Sequence, residues 1–267
     1  MLIYELFESI KFNCDYNKIL DLIDETNGLV LKKNTKDKID IDYNKFGKYK
    51  DLVIEFVATF YKSFNEEQTN NMLRNLSTLK IVTATPLEKV SILGLTSMGF
   101  YDSTENTITL ITSNKKYIKE TLFHELLHMA STVSKEDNKY CGFDLDNVIG
   151  TGINEDYTEY LLEKYFNKES KYDRRSCLLQ ELLLVVGEKK TEELYFKADL
   201  PSLINELARY KDEKEVIKLI YDYDSLYNVT YANNLINKLE HKMDRILKQK
   251  VKVKNNMIWY KWWYYER

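Results

Sequence analysis

The sequence predicts an α+β fold, in which a small, mostly antiparallel sheet leads into a motif-bearing helix and a mainly helical C-terminal lobe follows. Three observations carry this. Only 8 glycines and 2 prolines interrupt 267 residues, so long regular elements dominate. The one clear sheet region, rich in β-branched residues, is residues 79–112. After Ser113 the apolar spacing stays helical almost to Lys250.

In chain order, residues 1–45 read as an N-terminal helical and extended segment. Ile19, Leu20, Leu22 and Ile23 lie at helical spacing within Asp15–Thr26, and Asn27-Gly28 stops them. Residues 29–33 read as a short strand and Lys32–Asp42 as a polar loop. Residues 46–135 read as an upper α/β lobe. It begins with a buried helix over Lys48–Phe64, built on Leu52, Ile54, Phe56, Val57, Phe60 and Tyr61. Ser63 with Glu66 reads as a capping box for a second helix over 64–77. Strands are expected over Leu79–Thr85, Val90–Leu95, Thr96–Tyr101 and Asn106–Thr112, the last two joined as an antiparallel hairpin through Asp102–Asn106. Lys115–Ser131 reads as a helix. Residues 136–267 read as a helical lobe ending in a basic and aromatic tail.

Composition narrows the function classes. Hydrophobic residues make up 44% and charged residues 30%, as in a folded globular chain. A net charge of -3 argues against a polyanion binder, and no specific nucleic-acid partner is expected. The three cysteines, Cys14, Cys141 and Cys177, are too sparse for a disulfide framework, fit a reducing compartment and read as structural or idle. The first residues carry acids where a signal peptide carries Lys or Arg, and no run has the length of a transmembrane segment, so the expected location is cytoplasmic. The tail places lysines from Lys238 to Lys254 ahead of Trp259, Tyr260, Trp262, Trp263, Tyr264 and Tyr265. Such a tail can stack on nucleic acid or lie at a membrane interface. The favoured reading is that it packs across the body with its lysines solvated.

Two of the three histidines stand in His124-Glu125-Leu126-Leu127-His128. On a helix, His124 and His128 lie one turn apart on one face, close enough for both imidazoles to reach one metal ion. Glu125 falls on the neighbouring edge, where it can take a proton from a metal-bound water. The flanking Leu122, Phe123, Leu126, Leu127, Met129 and Ala130 make this helix apolar nearly all round. Polar groups inside such a helix need partners, and leaving each unpaired costs about 1–3 kcal/mol.

A catalytic zinc site needs a third protein ligand and keeps a fourth position for water. Asn154-Glu155 opens a second apparent helix, with Tyr160, Leu161, Leu162 and Tyr165 as its packing face. Taken alone, Glu155 and Glu159 read as acids suiting a helix start. Downstream of the histidine pair, Glu155 reads as the third ligand. Glu159, one turn on, reads as an acceptor for the other ring N–H of a ligand histidine.

His124, Glu125, His128, Asn154, Glu155 and Glu159 together resemble the pattern of gluzincins, the thermolysin-like zinc metallopeptidases. Those usually carry Asp where this chain has Glu159. Gly152–Leu161 is also similar to a segment of small bacterial members, with Asp156 in place of their usual Gly. The similarity covers roughly residues 80–165.

The resemblance implies a zincin-like fold with two lobes meeting at one Zn2+, a peptide or protein substrate, and Asn154 and Glu159 behind the ligands. It implies substrate binding by strand addition along Thr96, Ser97, Met98, Gly99 and Phe100, with Gly99 leaving room for the peptide, although these residues also read as a plain hairpin strand. It implies an oxyanion-stabilising Tyr or His, for which Tyr172 is the first choice and His241 the second. The activity expected is peptide-bond hydrolysis with Glu125 as general base. Alternatives are a cytosolic regulatory protease with one protein target, a catalytically silent binding protein of the same fold, and a helical interaction module with a fortuitous motif.

Overall fold

The computed structural model describes residues 39–85, 98–112, 114–135, 137–168, 174–227 and 233–254. The elements expected over 15–26, 29–33 and 90–95, and the aromatic end of the tail, lie outside these residues.

A 3₁₀ segment, Tyr43–Tyr49, leads into α1 (Lys50–Ser63), which buries Val53, Phe56 and Phe60 at helical spacing. Helix α2 (Glu66–Thr78) starts at Asn65. The Asn65 side chain accepts from the Gln68 N–H and the Gln68 side chain accepts from the Asn65 N–H, both at 2.9 Å. The capping box therefore lies two residues beyond the one expected at Ser63 and Glu66. The Ser63 hydroxyl instead donates to Thr59 O at 3.0 Å, which spends it within its own helix.

Strands β1 (Lys80–Thr83), β2 (Gly99–Asp102) and β3 (Thr107–Leu110) form a sheet in the order β1-β3-β2. The expected hairpin is present: β2 and β3 are antiparallel, with Tyr101 opposite Ile108. Asp102 closes the turn by accepting from the Thr104 and Glu105 N–H groups at 2.8 and 3.1 Å. Strand β1 runs parallel to β3, so this sheet is mixed. One face buries Ile108 and Leu110 while Val82 and Phe100 on the other are exposed.

The buried side of the sheet packs on α3 (Lys115–Ser131), whose bounds coincide with those expected from the sequence. Leu122, Phe123, Leu126, Leu127, Met129 and Ala130 are all buried, as the all-round apolar pattern requires. A second hairpin, β4 (Thr132–Lys135) with β5 (Asn138–Cys141), follows directly. This corrects the helical reading beyond Ser113. Side-chain amides from α2 hold the junction: Asn75 donates to Met129 O and Thr132 O at 2.8 and 2.7 Å, and Asn71 to Ala130 O and Thr132 O at 3.0 and 2.9 Å. They satisfy carbonyls that the end of α3 leaves without helical partners.

The remaining helices are α4 (Thr151–Phe166), α5 (Arg174–Val186), α6 (Glu188–Phe196), α7 (Leu200–Ala208), α8 (Glu213–Tyr227) and α9 (Asn233–Lys254). The described residues are thus mixed α+β and mainly helical. One contiguous core runs from Phe46 to Leu247. At its centre Phe56 of α1 stacks on Phe166 of α4, centroids 5.0 Å apart, and meets Phe123 of α3 edge-on at 5.6 Å. That aromatic contact fixes α3 against α4. Lys250 departs from the expected solvated tail: it is buried and donates to Leu184 O and Val185 O at the end of α5, both at 2.6 Å. No helix among the described residues is long and apolar enough to cross a membrane.

Candidate metal centre

Helices α3 and α4 pack face to face, and their shared polar patch lies in an otherwise apolar interface. The start of α4 sets the position of Glu155. Gly150 has φ +94, and a Cβ there would meet Phe143 O at 2.0 Å, so only glycine fits. Asp224, from α8, accepts from the Gly150 and Gly152 N–H groups at 2.7 and 2.8 Å. A carboxylate distant in sequence thus caps the helix and anchors its first turn.

From this scaffold Glu155 meets both histidines. His124 Nε2 lies 3.1 Å from Glu155 Oε2, His128 Nε2 lies 3.3 Å from Glu155 Oε1, and the two Nε2 atoms are 3.0 Å apart. One ligand-type atom from each residue falls within 4.8 Å of the others, so the trio could hold a metal ion. Behind His124, Glu159 Oε2 sits 3.1 Å from Nδ1, and Lys168 pairs with Glu159 Oε1. Behind His128, Nδ1 faces Asn154 Nδ2 at 3.4 Å, Thr158 Oγ1 at 3.5 Å and Cys141 Sγ at 3.8 Å. Asn154 Oδ1 is engaged by the Phe143 N–H at 2.9 Å, so that amide also ties the loop before α4 to the site. Thr158 donates to Asn154 O at 2.7 Å and lies 2.6 Å from the buried Tyr195 hydroxyl. With the Thr158 hydrogen spent on that carbonyl, Tyr195 is the donor in the second contact. A lone pair on Thr158 remains for His128.

Protonation follows from this packing. Burial would depress His124, but hydrogen bonds to Glu155 and Glu159 outweigh it and hold the imidazole at about 9. Burial opposes charge on His128 as well, yet Glu155 and Cys141 lift it well above its ordinary value. Burial pushes Glu155 up, and the two imidazoles more than reverse this, leaving it far below the usual carboxylate range. Glu159 is likewise raised by burial and then held at about 2 by His124 and Lys168. The pocket therefore gathers positive charge as protons, where a cation could supply it instead.

Glu125 is buried beside this group. Burial raises its pKa against the pull of both imidazoles, and the nearby Tyr101 backbone of β2 lowers it slightly. Strand β2 thereby touches the motif. Met98 and Phe100 are exposed along it. A Cβ at Gly99 would lie 2.7 Å from the Thr121 methyl of α3, so the glycine lets helix and sheet approach closely. Thr96, Ser97 and Tyr172 lie outside the described residues, and His241 is exposed on α9. Sequence reading missed Cys141 as a neighbour of the site and missed Thr158, Tyr195, Lys168 and Asp224 altogether. Of these only Thr158 carried a signal, one turn after Asn154.

Comparison of the chain with protein-family models, with curated proteins and with solved structures gives no match.

Proposed function

We propose that the chain is a zinc-dependent metallopeptidase of zincin-like fold, in which His124, His128 and Glu155 bind the ion and Glu125 is the general base. The convergence of three donor groups at 3.0–3.3 Å carries the reading. Tetrahedral ligands at zinc bond lengths of about 2.0–2.1 Å sit about 3.3–3.4 Å from one another. The Nε2–Nε2 separation and the approach of each imidazole to one Glu155 oxygen, Oε2 for His124 and Oε1 for His128, are close to those edges, and two imidazoles with one carboxylate form a donor set suited to zinc.

A zinc ion bound there would supply Lewis acidity, lowering the pKa of a coordinated water toward about 7 and polarising the scissile carbonyl. The chain's own groups do the rest. Glu125, buried beside the histidines, takes a proton from the attacking water. As the C–N bond breaks, the same carboxyl passes that proton to the leaving amine. Glu159 accepts from His124 Nδ1 and so directs the Nε2 lone pair toward the ion. Among the described residues β2 is an outer strand of its sheet, so a peptide can add alongside it next to Glu125.

The test is the metal content of the purified protein. One zinc per chain is expected, with little in His128→Ala. A wild-type chain that takes up no zinc, or a His128→Ala chain that still holds a full equivalent, refutes the site.

A further inference from the structure

Glu159 has one methylene more than the aspartate usual in the pattern it resembles, and therefore one more torsion to fix. Its surroundings supply a second anchor. Helix α4 ends at Phe166, and Asn167 adopts a left-handed conformation (φ 56, ψ 34) that turns the chain back. Lys168 follows at once, with its side chain only 11% exposed and its ammonium paired with Glu159 Oε1. Glu159 Oε2 is left for His124 Nδ1 at 3.1 Å. Both carboxylate oxygens are thus assigned, one to the lysine and one to the imidazole.

We propose that Lys168 is a positioning residue of the metal centre, acting through Glu159 to fix the ring orientation and tautomer of His124. This rests on the reading of His124 as a ligand. It differs from the effect of an ordinary ion pair in sign. A lysine acting only by its charge repels a cation bound nearby, so removing it would tighten metal binding. A lysine that holds Glu159 in place does the opposite, because loss of the groups that orient a ligand imidazole weakens metal binding about 10–100-fold. Arginine can keep the contact to the carboxylate.

The experiment measures zinc affinity by competition with a chromophoric chelator for the full-length wild type, Lys168→Met, Lys168→Arg, Glu159→Gln and the Lys168→Met/Glu159→Gln pair. Thermal unfolding of the metal-free proteins is followed in parallel. The expected results are about tenfold weaker binding in Lys168→Met, near wild-type binding in Lys168→Arg, and a double variant no weaker than Glu159→Gln alone. The milder Lys168→Gln decides the matter if Lys168→Met folds poorly. Unchanged or tighter binding in Lys168→Met, or losses that add in the double variant, overturns the proposal while leaving the centre intact. A wild type that binds no zinc removes the centre itself, and the proposal with it.

Discussion

Replacing Asp224 with alanine removes the acceptor of two backbone N–H groups at the start of α4. Gly150 and Gly152 donate to its two oxygens at 2.7 and 2.8 Å, so asparagine keeps one acceptor and alanine keeps none. Each such bond at a half-buried helix start contributes about 1–2 kcal/mol. Asp224→Asn should therefore cost about 1–2 kcal/mol and Asp224→Ala about 2–4 kcal/mol. Burial pushes the Asp224 carboxyl up to about 7, although the two amide bonds pull it down. Its folded pKa exceeds the unfolded value of about 3.9. The group thus favours folding most below about pH 4, and that contribution is lost as the pH climbs toward 7. Asparagine does not titrate, so Asp224→Asn should lose less stability than the wild type as the pH climbs through the same window, and the difference should move in the variant's favour. Urea unfolding of the metal-free proteins from pH 4 to pH 8 reads both effects. Zinc affinity should also fall in Asp224→Ala, because Glu155 lies one turn after Thr151, directly above the helix start that Asp224 anchors. At pH 4, where the group favours folding most, an Asp224→Ala protein that unfolds within about 0.5 kcal/mol of wild type would refute the claim that this side chain holds the helix.

Two further outcomes are expected. Zinc must displace protons from the imidazoles, with His124 at about 9 and His128 also raised, so apparent affinity should climb by about tenfold per pH unit for each competing proton until that range is passed; an affinity flat from pH 6 to pH 9 contradicts the charge arrangement. Tyr195→Phe removes the hydroxyl that donates to Thr158 at 2.6 Å and should cost about 1 kcal/mol of stability and about tenfold in zinc affinity, read by thermal unfolding and chelator competition.

The parts of the molecule legible in the sequence were those encoded locally. Lys115–Ser131 was readable because apolar residues run all round it from Leu122 to Ala130, which leaves His124, Glu125 and His128 no ordinary solvent face. Glu155 was readable because a carboxylate on a helix that follows a histidine pair has a specific chemical use, although the helix opens at Thr151, a turn before the start expected at Asn154-Glu155. The capping box was misplaced because Ser63 and Asn65 both satisfy the pattern, and only the structure shows that Ser63 bonds back to Thr59. The β4–β5 hairpin escaped notice because each strand has four residues and lies between two strong helices. Asp224, Tyr195 and Lys168 were not legible for a different reason. Each acts across a packed interface or a chain reversal, and a Tyr among 21 or one charge among many carries no local mark.

The most direct test of the account compares zinc-loaded wild type with zinc-loaded Glu125→Gln on a mixed peptide library, read by mass spectrometry. The account predicts equal zinc content in the two, with cleavage by the wild type and none by the variant. Cleavage by a homogeneous Glu125→Gln protein at the wild-type rate, or a fully loaded wild type that leaves every peptide intact, would contradict it.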